Sequence, residues 1–450
     1  MFFIGHRVSS LLIGTWAPKK PCRYHCLPPQ AHWKHAGLLN NKLTGAEEDF
    51  MIFLTQAHAH IGVLDPLPPV TVPLDKALGL ICAEDVCAAC DCPTVDSSLK
   101  DGFAVVSSDI ADASPNHPVT LSVTGALTAG DDIDRFQVTP GTAVRIMTGA
   151  PLPRGATSVL ASEFAEAAGH LVTIRADSRP GLNILRKGSD IVRDRIVLAR
   201  GDRLGPAHLG LLAAAGLKEV SCYPLPKIAI AATGSELVWP GEPLTAGKVA
   251  ASNMVTAKAE LQALGIRAST VLLRDSLDTL HEHFSRIIPQ VDVLITCGGV
   301  LDGDKDLTLR AMEQVGMAKI FHRVRIGPGK GACMGRVGRT IVFNLPGGPP
   351  SNHVALLLLA LSGVRRLMGF MNCLPPKRQV FVSEELTGQK DWTQLVYGRV
   401  KYAAGSLYAV PLRNMGRFEA MARANALIEI PEGCAVIKEG SLAEAWFLNA

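Results

Sequence analysis

One stretch, Val291 to Pro350, constrains the fold of this chain more than any other. It opens with the apolar run V-D-V-L-I-T, which has the length of a strand. It then breaks at once into Cys297-Gly298-Gly299-Val300 and Asp302-Gly303-Asp304-Lys305-Asp306. An apolar strand that ends in glycines and acids is how an open α/β sheet presents a ligand crevice at its carboxyl edge. A second strand-and-turn signal follows at Thr340 to Ser351, I-V-F-N-L-P-G-G-P-P-S. Between the two lies Ile326-Gly327-Pro328-Gly329-Lys330, where glycines let backbone amides approach an anion and a lysine adds positive charge. The segment reads as a phosphate-type pocket edged by carboxylates, and that combination calls for a divalent metal.

The flanking sequence agrees with an α/β class. Lys227 to Ala232 is a short apolar strand, and Ser252 to Gly265 places Met254, Ala257, Leu261 and Leu264 at helical spacing. Val271 to Leu273, Leu280 to Ile288 and Val291 to Thr296 continue the alternation of strand and helix, which predicts a parallel-type sheet with right-handed crossovers. Upstream, a helix from Met51, a strand at Val70 to Val72 and a second helical pattern at Leu74 to Gly79 are expected. Residues 103 to 187 carry short alternating runs separated by Gly and Pro, which predicts an all-β insert. His208 to Ala215 reads as helix ended by Gly216. From Cys373 onward, short strands with turn residues read as a small β-barrel.

With 48% hydrophobic and 19% charged residues among 450, the chain can bury a sizeable core across several domains. Its net charge of +4 comes from 45 basic and 41 acidic residues with no basic stripe, so nothing argues for nucleic acid. No apolar run reaches the roughly 18 residues of a membrane helix. The eleven cysteines lack a secreted mini-domain pattern, which points to reduced thiols in a cytoplasm. Cys82, Cys87, Cys90 and Cys92 have no histidines at ligand spacing and are read as unliganded. Residues 1–46 hold six Lys or Arg and no acid, and read as a basic, disordered extension or a transit-type leader.

The series Ser98-Leu99-Lys100-Asp101-Gly102-Phe103-Ala104, Arg145-Ile146-Met147-Thr148-Gly149-Ala150-Pro151, Asn183 with Gly188-Ser189-Asp190-Ile191, and Thr233-Gly234-Ser235-Glu236-Leu237 precedes the central stretch. In order and spacing this series resembles the molybdopterin molybdenumtransferase family, the MoeA and gephyrin E-domain group, from about Met51 to the C-terminus. The resemblance implies an elongated split domain (47–90 and 188–225), an inserted β domain (91–187), an α/β molybdopterin-binding domain (226–372) and a C-terminal β domain (373–450). It also implies a homodimer. The expected activity is Mg²⁺-dependent insertion of molybdate into adenylylated molybdopterin with release of AMP. Molybdopterin adenylyltransferase and downstream molybdoenzymes would then be pathway partners, in the cytoplasm and with no membrane involved.

Five acids fall on family motif positions: Asp101, Asp190, Glu236, Asp275 and Asp306. The resemblance assigns metal binding to Glu236, Asp304 and Asp306. It assigns substrate binding to Thr148, Gly149, Thr233, Gly234, Gly298, Gly299, Arg323, Lys330, Pro346, Gly347, Gly348 and Ser351. Carboxylates would hold Mg²⁺ against a pyrophosphate, glycine amides would cradle the phosphates, and Lys330 with Arg323 would supply positive charge. Any single acid here also fits a turn or helix-cap role, Glu236 and Asp275 most of all. The Thr148 loop would face the cleft of a partner subunit. The sequence departs from the family pattern at Lys100, Ser235, Leu301, Gly327 and Gly348. Those departures leave room for a second reading, a non-catalytic molybdopterin-binding or carrier paralogue.

Overall fold

The computed structural model describes residues 51–299, 307–403 and 405–448. The basic segment 1–46 and the residues Leu301, Asp304, Lys305 and Asp306 lie outside them. No helix among the described residues is long and apolar enough to cross a membrane.

The α/β region is built from six strands: β1 (Ile228–Thr233), β2 (Ser269–Leu273), β3 (Val293–Cys297), β4 (Ala318–His322), β5 (Cys333–Val337) and β6 (Thr340–Leu345). The sheet order is β2-β1-β3-β6-β5-β4. β2, β1, β3 and β6 run parallel, and β6, β5 and β4 pair antiparallel. The sheet is therefore mixed. The sequence reading allowed a parallel or mixed sheet and placed the parallel strands, but it did not assign β4 and β5, whose runs carry Lys319, His322, Gly335 and Arg336. β1, β3 and β6 are buried throughout, as continuous apolar runs covered on both faces require.

Helix α1 (Ser252–Ala263) connects β1 to β2, and α2 (Leu277–Ile287) returns from β2 to β3 on the other side of β1. The winding direction reverses between β1 and β3, so their carboxyl ends diverge into a crevice. α1 buries Met254, Ala257 and Leu261 at helical spacing. Helix α3 (Leu307–Gln314) leads into the antiparallel edge. After β6 the chain forms α4 (Pro349–Ala355), a π-helical turn over Leu356–Ala360 and α5 (Leu361–Leu367). The leucine run is buried in the largest core cluster, as its composition demanded.

The C-terminal region holds β7 (Lys377–Val382), β8 (Thr393–Ala403), β9 (Ser406–Pro411), β10 (Ala426–Ile430) and β11 (Leu442–Phe447), with α6 (Arg417–Arg423) before β10. Pairing runs β8-β9-β7-β11-β10, and β10 pairs back to β8, so the five strands close into a barrel. Val380, Val382, Val400, Ala409, Ile428 and Ala445 help fill its interior. The two-residue strand Ile326–Gly327 of the α/β region adds itself in parallel to β8. That pairing joins the glycine-lysine turn to the barrel.

Upstream, strand Val70–Pro73 pairs with Glu219–Tyr223, and Ile81–Cys82 pairs with the same strand, so residues on either side of the insert share one sheet. The insert is a six-stranded sheet containing Gly102–Val105, Val119–Leu127 and Thr142–Ile146, with an apolar cluster on each face. Two local expectations need correction. The helical pattern at Leu74 to Gly79 is only a 3-10 turn, Leu74–Lys76, because Gly79 turns to φ 82° after one turn. The helix near His208 starts at Pro206, a residue suited to a first helical turn.

Candidate functional site

Two cavities share one wall at the carboxyl edge of the sheet. The first, of about 580 Å³, is lined by Thr233, Gly234 and Glu236 after β1, Asp275 after β2, and Cys297, Gly298 and Gly299 after β3. Gly347 after β6 closes it, with Lys248, Asn253, Arg417 and Phe418 also on its walls. The second, of about 480 Å³, is lined by Ile326 to Gly331, Pro346, Gly347, Gly348, Ser351, Gln389, Trp392 and Gln394. Gly347 belongs to both.

The floor of the first cavity depends on a close approach of β1 and β3. Gly298 takes φ 115°, and a Cβ there would stand 2.6 Å from the Thr233 carbonyl oxygen. Gly299, at φ 66°, passes so close to Thr308 that a Cβ would fall 2.3 Å from its Oγ1. Only glycine fits these turns without displacing the strand ends. The buried hydroxyls of Thr233 and Thr308 lie 3.0 Å apart in a hydrogen bond that ties the end of β1 to α3.

Among the described residues Glu236 and Asp275 are the two carboxylates on this cavity, and neither caps a helix. The residue capping α2 is Ser276, and a short strand, Leu237–Val238, follows Glu236. The Asp275 Oδ2 accepts the Ser235 backbone N–H at 3.1 Å, and Lys248 Nζ donates to the Ser235 carbonyl at 2.7 Å. The Cys297 thiol also lines the cavity, but full burial pushes its pKa up to about 12. It stays protonated near neutrality and supplies no thiolate.

The loop after β6 is held on both sides. Asn253 donates its side-chain amide to the Gly347 carbonyl at 2.8 Å, and buried Asn352 donates to the Pro346 carbonyl at 2.9 Å. With these carbonyls occupied, the N–H groups of Gly347 and Gly348 form no hydrogen bond among the described residues. Gly298 differs from the expectation that its amide is a free phosphate donor. Its N–H is committed to the Leu345 carbonyl at 2.9 Å, so Gly298 shapes the site by its lack of a side chain.

In the second cavity, Lys330 Nζ lies 5.2 Å from the centroid of the Trp392 ring. Trp392 reaches this place because Thr393–Gln394 pairs with Ile326–Gly327. Arg323 lines neither cavity. It sits just past β4 in a left-handed conformation (φ 69°), with its backbone N–H bonded to the Ala332 carbonyl and its carbonyl to Ile52.

The insert residues stand apart from both cavities. Asp101 Oδ1 accepts the Thr148 backbone N–H at 2.7 Å and its hydroxyl at 2.8 Å, which holds the carboxyl below its usual range. Asp101 lines a separate depression with Arg145 and Met147. Gly149 follows at φ 80°, and its N–H is bonded to the Ser98 carbonyl. Asp190 is exposed, and its N–H is bonded to the Cys92 carbonyl. Within one chain, then, Asp101, Thr148, Gly149 and Asp190 do not join Glu236 and Asp275. Among the described residues no three His, Cys, Asp or Glu side chains come together to hold a metal.

Sequence reasoning missed Lys248, Asn253, Arg417 and Phe418 in the first cavity, and Gln389, Trp392 and Gln394 in the second. None lies on a strand-to-glycine signal. Those from the barrel reach the sheet edge only through tertiary packing.

Comparison with known proteins gives the same picture from residue 51 to residue 448. Three family models match in chain order: the MoeA N-terminal region (domains I and II) over residues 51–216, a probable molybdopterin-binding domain over 229–366, and the MoeA C-terminal region (domain IV) over 379–448. Molybdopterin molybdenumtransferase 2 of Mycobacterium tuberculosis is 33% identical over 389 residues, 85% of this chain and 95% of that protein. The molybdopterin molybdenumtransferase of Staphylococcus aureus is 30% identical over 377 residues, 83% of this chain and 90% of that one. The crystal structure of the molybdopterin biosynthesis MoeA protein from Pyrococcus horikosii superposes with a TM-score of 0.77 at 29% identity, covering 89% of this chain and all of that one. With matches in all three regions and relatives this similar over nearly their full length, the chain belongs to the MoeA family of molybdopterin molybdenumtransferases.

Proposed function

We propose that this transferase of molybdenum cofactor biosynthesis inserts molybdate into adenylylated molybdopterin in a Mg²⁺-dependent reaction that releases AMP. The observation that carries this reading is the pair of cavities joined at Gly347, one acidic with glycine walls and one holding Lys330 and Ser351. Such a layout suits a ligand whose phosphates lie over the first cavity while an oxyanion sits in the second.

The donor set fits Mg²⁺. This ion binds through one or two carboxylates and takes its remaining ligands from water and substrate phosphates. Glu236 and Asp275 are two carboxylates on one cavity, and Asp304 and Asp306 are assigned to the same role by the family resemblance. When bound, Mg²⁺ would neutralise charge on the pyrophosphate. The chain's own groups do the rest. The amides of Gly347 and Gly348 donate to phosphate oxygens, and Lys330 and the Ser351 hydroxyl hold molybdate. The domain division at residues 91, 188, 226 and 373 belongs to this proposal.

Asp101, Thr148, Gly149 and Asp190 act in this scheme from the partner in a homodimer, with the insert of one protomer closing the cleft of the other. Molybdopterin adenylyltransferase supplies the substrate and a molybdoenzyme receives the product, in the cytoplasm. The test is AMP release from adenylylated molybdopterin and molybdate, with and without Mg²⁺. We expect Mg²⁺-dependent release that is lost in both Asp101→Ala and Asp275→Asn. Mixing the two variants should restore about a quarter of wild-type activity, since half of the random dimers carry one intact site. Absence of AMP release by the wild-type chain refutes the reaction, and absence of recovery on mixing refutes the shared site.

A further inference from the structure

Cys82 and Cys222 face each other across a β-ladder. They are register partners in the antiparallel pairing of Ile81–Cys82 with Glu219–Tyr223. The Cys82 backbone N–H donates to the Asp202 carbonyl, and the Cys82 carbonyl accepts the Gly201 N–H. These bonds point away from Cys222, whereas the next residue, Ala83, donates to the Ser221 carbonyl at 2.9 Å. The two cysteines are therefore a non-hydrogen-bonded pair, the narrow kind, with Cα atoms about 4.5 Å apart. That separation lies within the roughly 4.4–6.8 Å that a disulfide spans.

Directly opposed side chains share one face of a sheet, and both thiols are buried in one apolar cluster with Leu80, Leu204 and Leu212. Among the described residues no other two cysteines are register partners in a strand pairing. Both are free. Burial pushes the Cys222 thiol up to about 11 and raises Cys82 as well, and the Cys82 thiol donates to the Glu84 carbonyl at 3.0 Å. Protonated, buried thiols react slowly, so the closed sheet guards the pair. The guard is short, because Ile81–Cys82 is a two-residue strand at the edge of its three-stranded sheet.

We propose that Cys82 and Cys222 form a redox-sensitive disulfide that staples together the two chain passages on either side of the β insert. The oxidant is a low-molecular-weight disulfide such as oxidised glutathione. When the edge strand parts, the Cys82 thiolate attacks that disulfide and one reduced glutathione leaves. The Cys222 thiolate then attacks the Cys82 sulfur of the mixed disulfide and the second glutathione leaves. The two cysteines lose two electrons and two protons, and the two released glutathiones carry them. In a reducing compartment the pair rests as the dithiol, and a rise in oxidised glutathione closes it. The loop closed, residues 83–221, contains the whole insert, and long closed loops are where a cross-link restricts the unfolded chain most.

The full-length protein is incubated with oxidised glutathione, both folded and during refolding from denaturant, then alkylated and digested without reductant for mass spectrometry. The expected product is a Cys82–Cys222 linked peptide two hydrogens lighter than the sum of its parts, formed more slowly in the folded chain than during refolding. The oxidised protein should unfold at a higher denaturant midpoint, and reductant should return the midpoint to that of the dithiol. Cys222→Ser and Cys222→Ala should both lack the linked peptide and the shift. Absence of the linked peptide from both samples overturns the proposal, as does linkage of Cys82 to other cysteines as often as to Cys222. A linked protein whose midpoint is unchanged or lower overturns the staple.

Discussion

Replacing Gly298 with alanine tests whether the close approach of β1 and β3 makes the first cavity. The new Cβ would stand 2.6 Å from the Thr233 carbonyl oxygen and 3.1 Å from its Oγ1, at a φ of 115°. The nearest atom is backbone, so no side chain can swing away to relieve the contact. A residue held in so sparsely populated a region costs about 1–3 kcal/mol. Restoring an ordinary separation requires the strand ends to part by roughly 0.5–1 Å. A displacement near 1 Å at a reacting centre costs on the order of 100-fold in rate. The expected result in the AMP-release assay is a fall in kcat/KM of about 10- to 100-fold, with a thermal midpoint lowered by a few degrees. Gly338→Ala is the matched control. It also sits at positive φ, 56°, in the turn between β5 and β6, but a Cβ there meets nothing within 4 Å. It carries backbone strain without a clash and should lose stability but not turnover. Wild-type turnover in Gly298→Ala, or an equal loss in Gly338→Ala, would refute the reasoning.

Two further outcomes are expected. The His58 ring is buried against Trp446 and donates through Nε2 to the Leu358 carbonyl, and burial lowers its pKa from 6.5 to about 4. The unfolded chain therefore takes up the proton first as pH falls, so stability is full above pH 6.5 and declines towards pH 4, by up to about 3 kcal/mol. Denaturant titrations across that range should show this decline, and His58→Phe should flatten it; an unchanged slope would count against the assignment. At Gly327, one of the positions that depart from the family pattern, a Cβ would meet only the Gln394 Cγ at 3.8 Å, so a side chain fits. Gly327→Lys should tighten molybdate binding about 10- to 100-fold at low salt and less at high salt. Affinity indifferent to the new charge would move the oxyanion out of the second cavity.

What the sequence made legible was the part carried by local pattern. Apolar runs ending in Thr233-Gly234 and Cys297-Gly298-Gly299 announce strand ends, and the structure lines one cavity with those residues. Asp275 could be placed beside them because it directly follows an apolar strand. β4 and β5 escaped because Lys319, His322, Gly335 and Arg336 break their apolar runs, and their pairing, β4 with β5 and β5 with β6, is a tertiary event. Trp392 and Phe418 escaped for the same reason. Trp392 is brought to the glycine-lysine turn by a two-residue strand pairing, and Phe418 by the burial of Ala420 and Ala424. The Gly298 amide was read as a phosphate donor because a glycine turn advertises free N–H groups. Its partner, the Leu345 carbonyl, becomes visible only once β3 and β6 lie side by side.

The glycines at this edge answer two different demands. Gly298 and Gly299 take positive φ and would clash with Thr233 and Thr308, so the fold itself requires them. Gly347 and Gly348 do not take positive φ, and Cβ atoms there would lie 3.7 Å from the Gly298 Cα and 4.0 Å from the Ser351 Oγ. Those are ordinary contacts, so packing would admit alanine at either place. What a side chain at Gly347 would occupy is the space common to both cavities, between the acids on one side and Lys330 on the other. A ligand that reaches from one cavity into the other must pass over this residue, and its bare backbone leaves both that passage and an unengaged N–H. The same reasoning bears on Gly348, which also lines the second cavity. Glycine there leaves only backbone on a cavity wall shared with Ser351, Trp392 and Lys330.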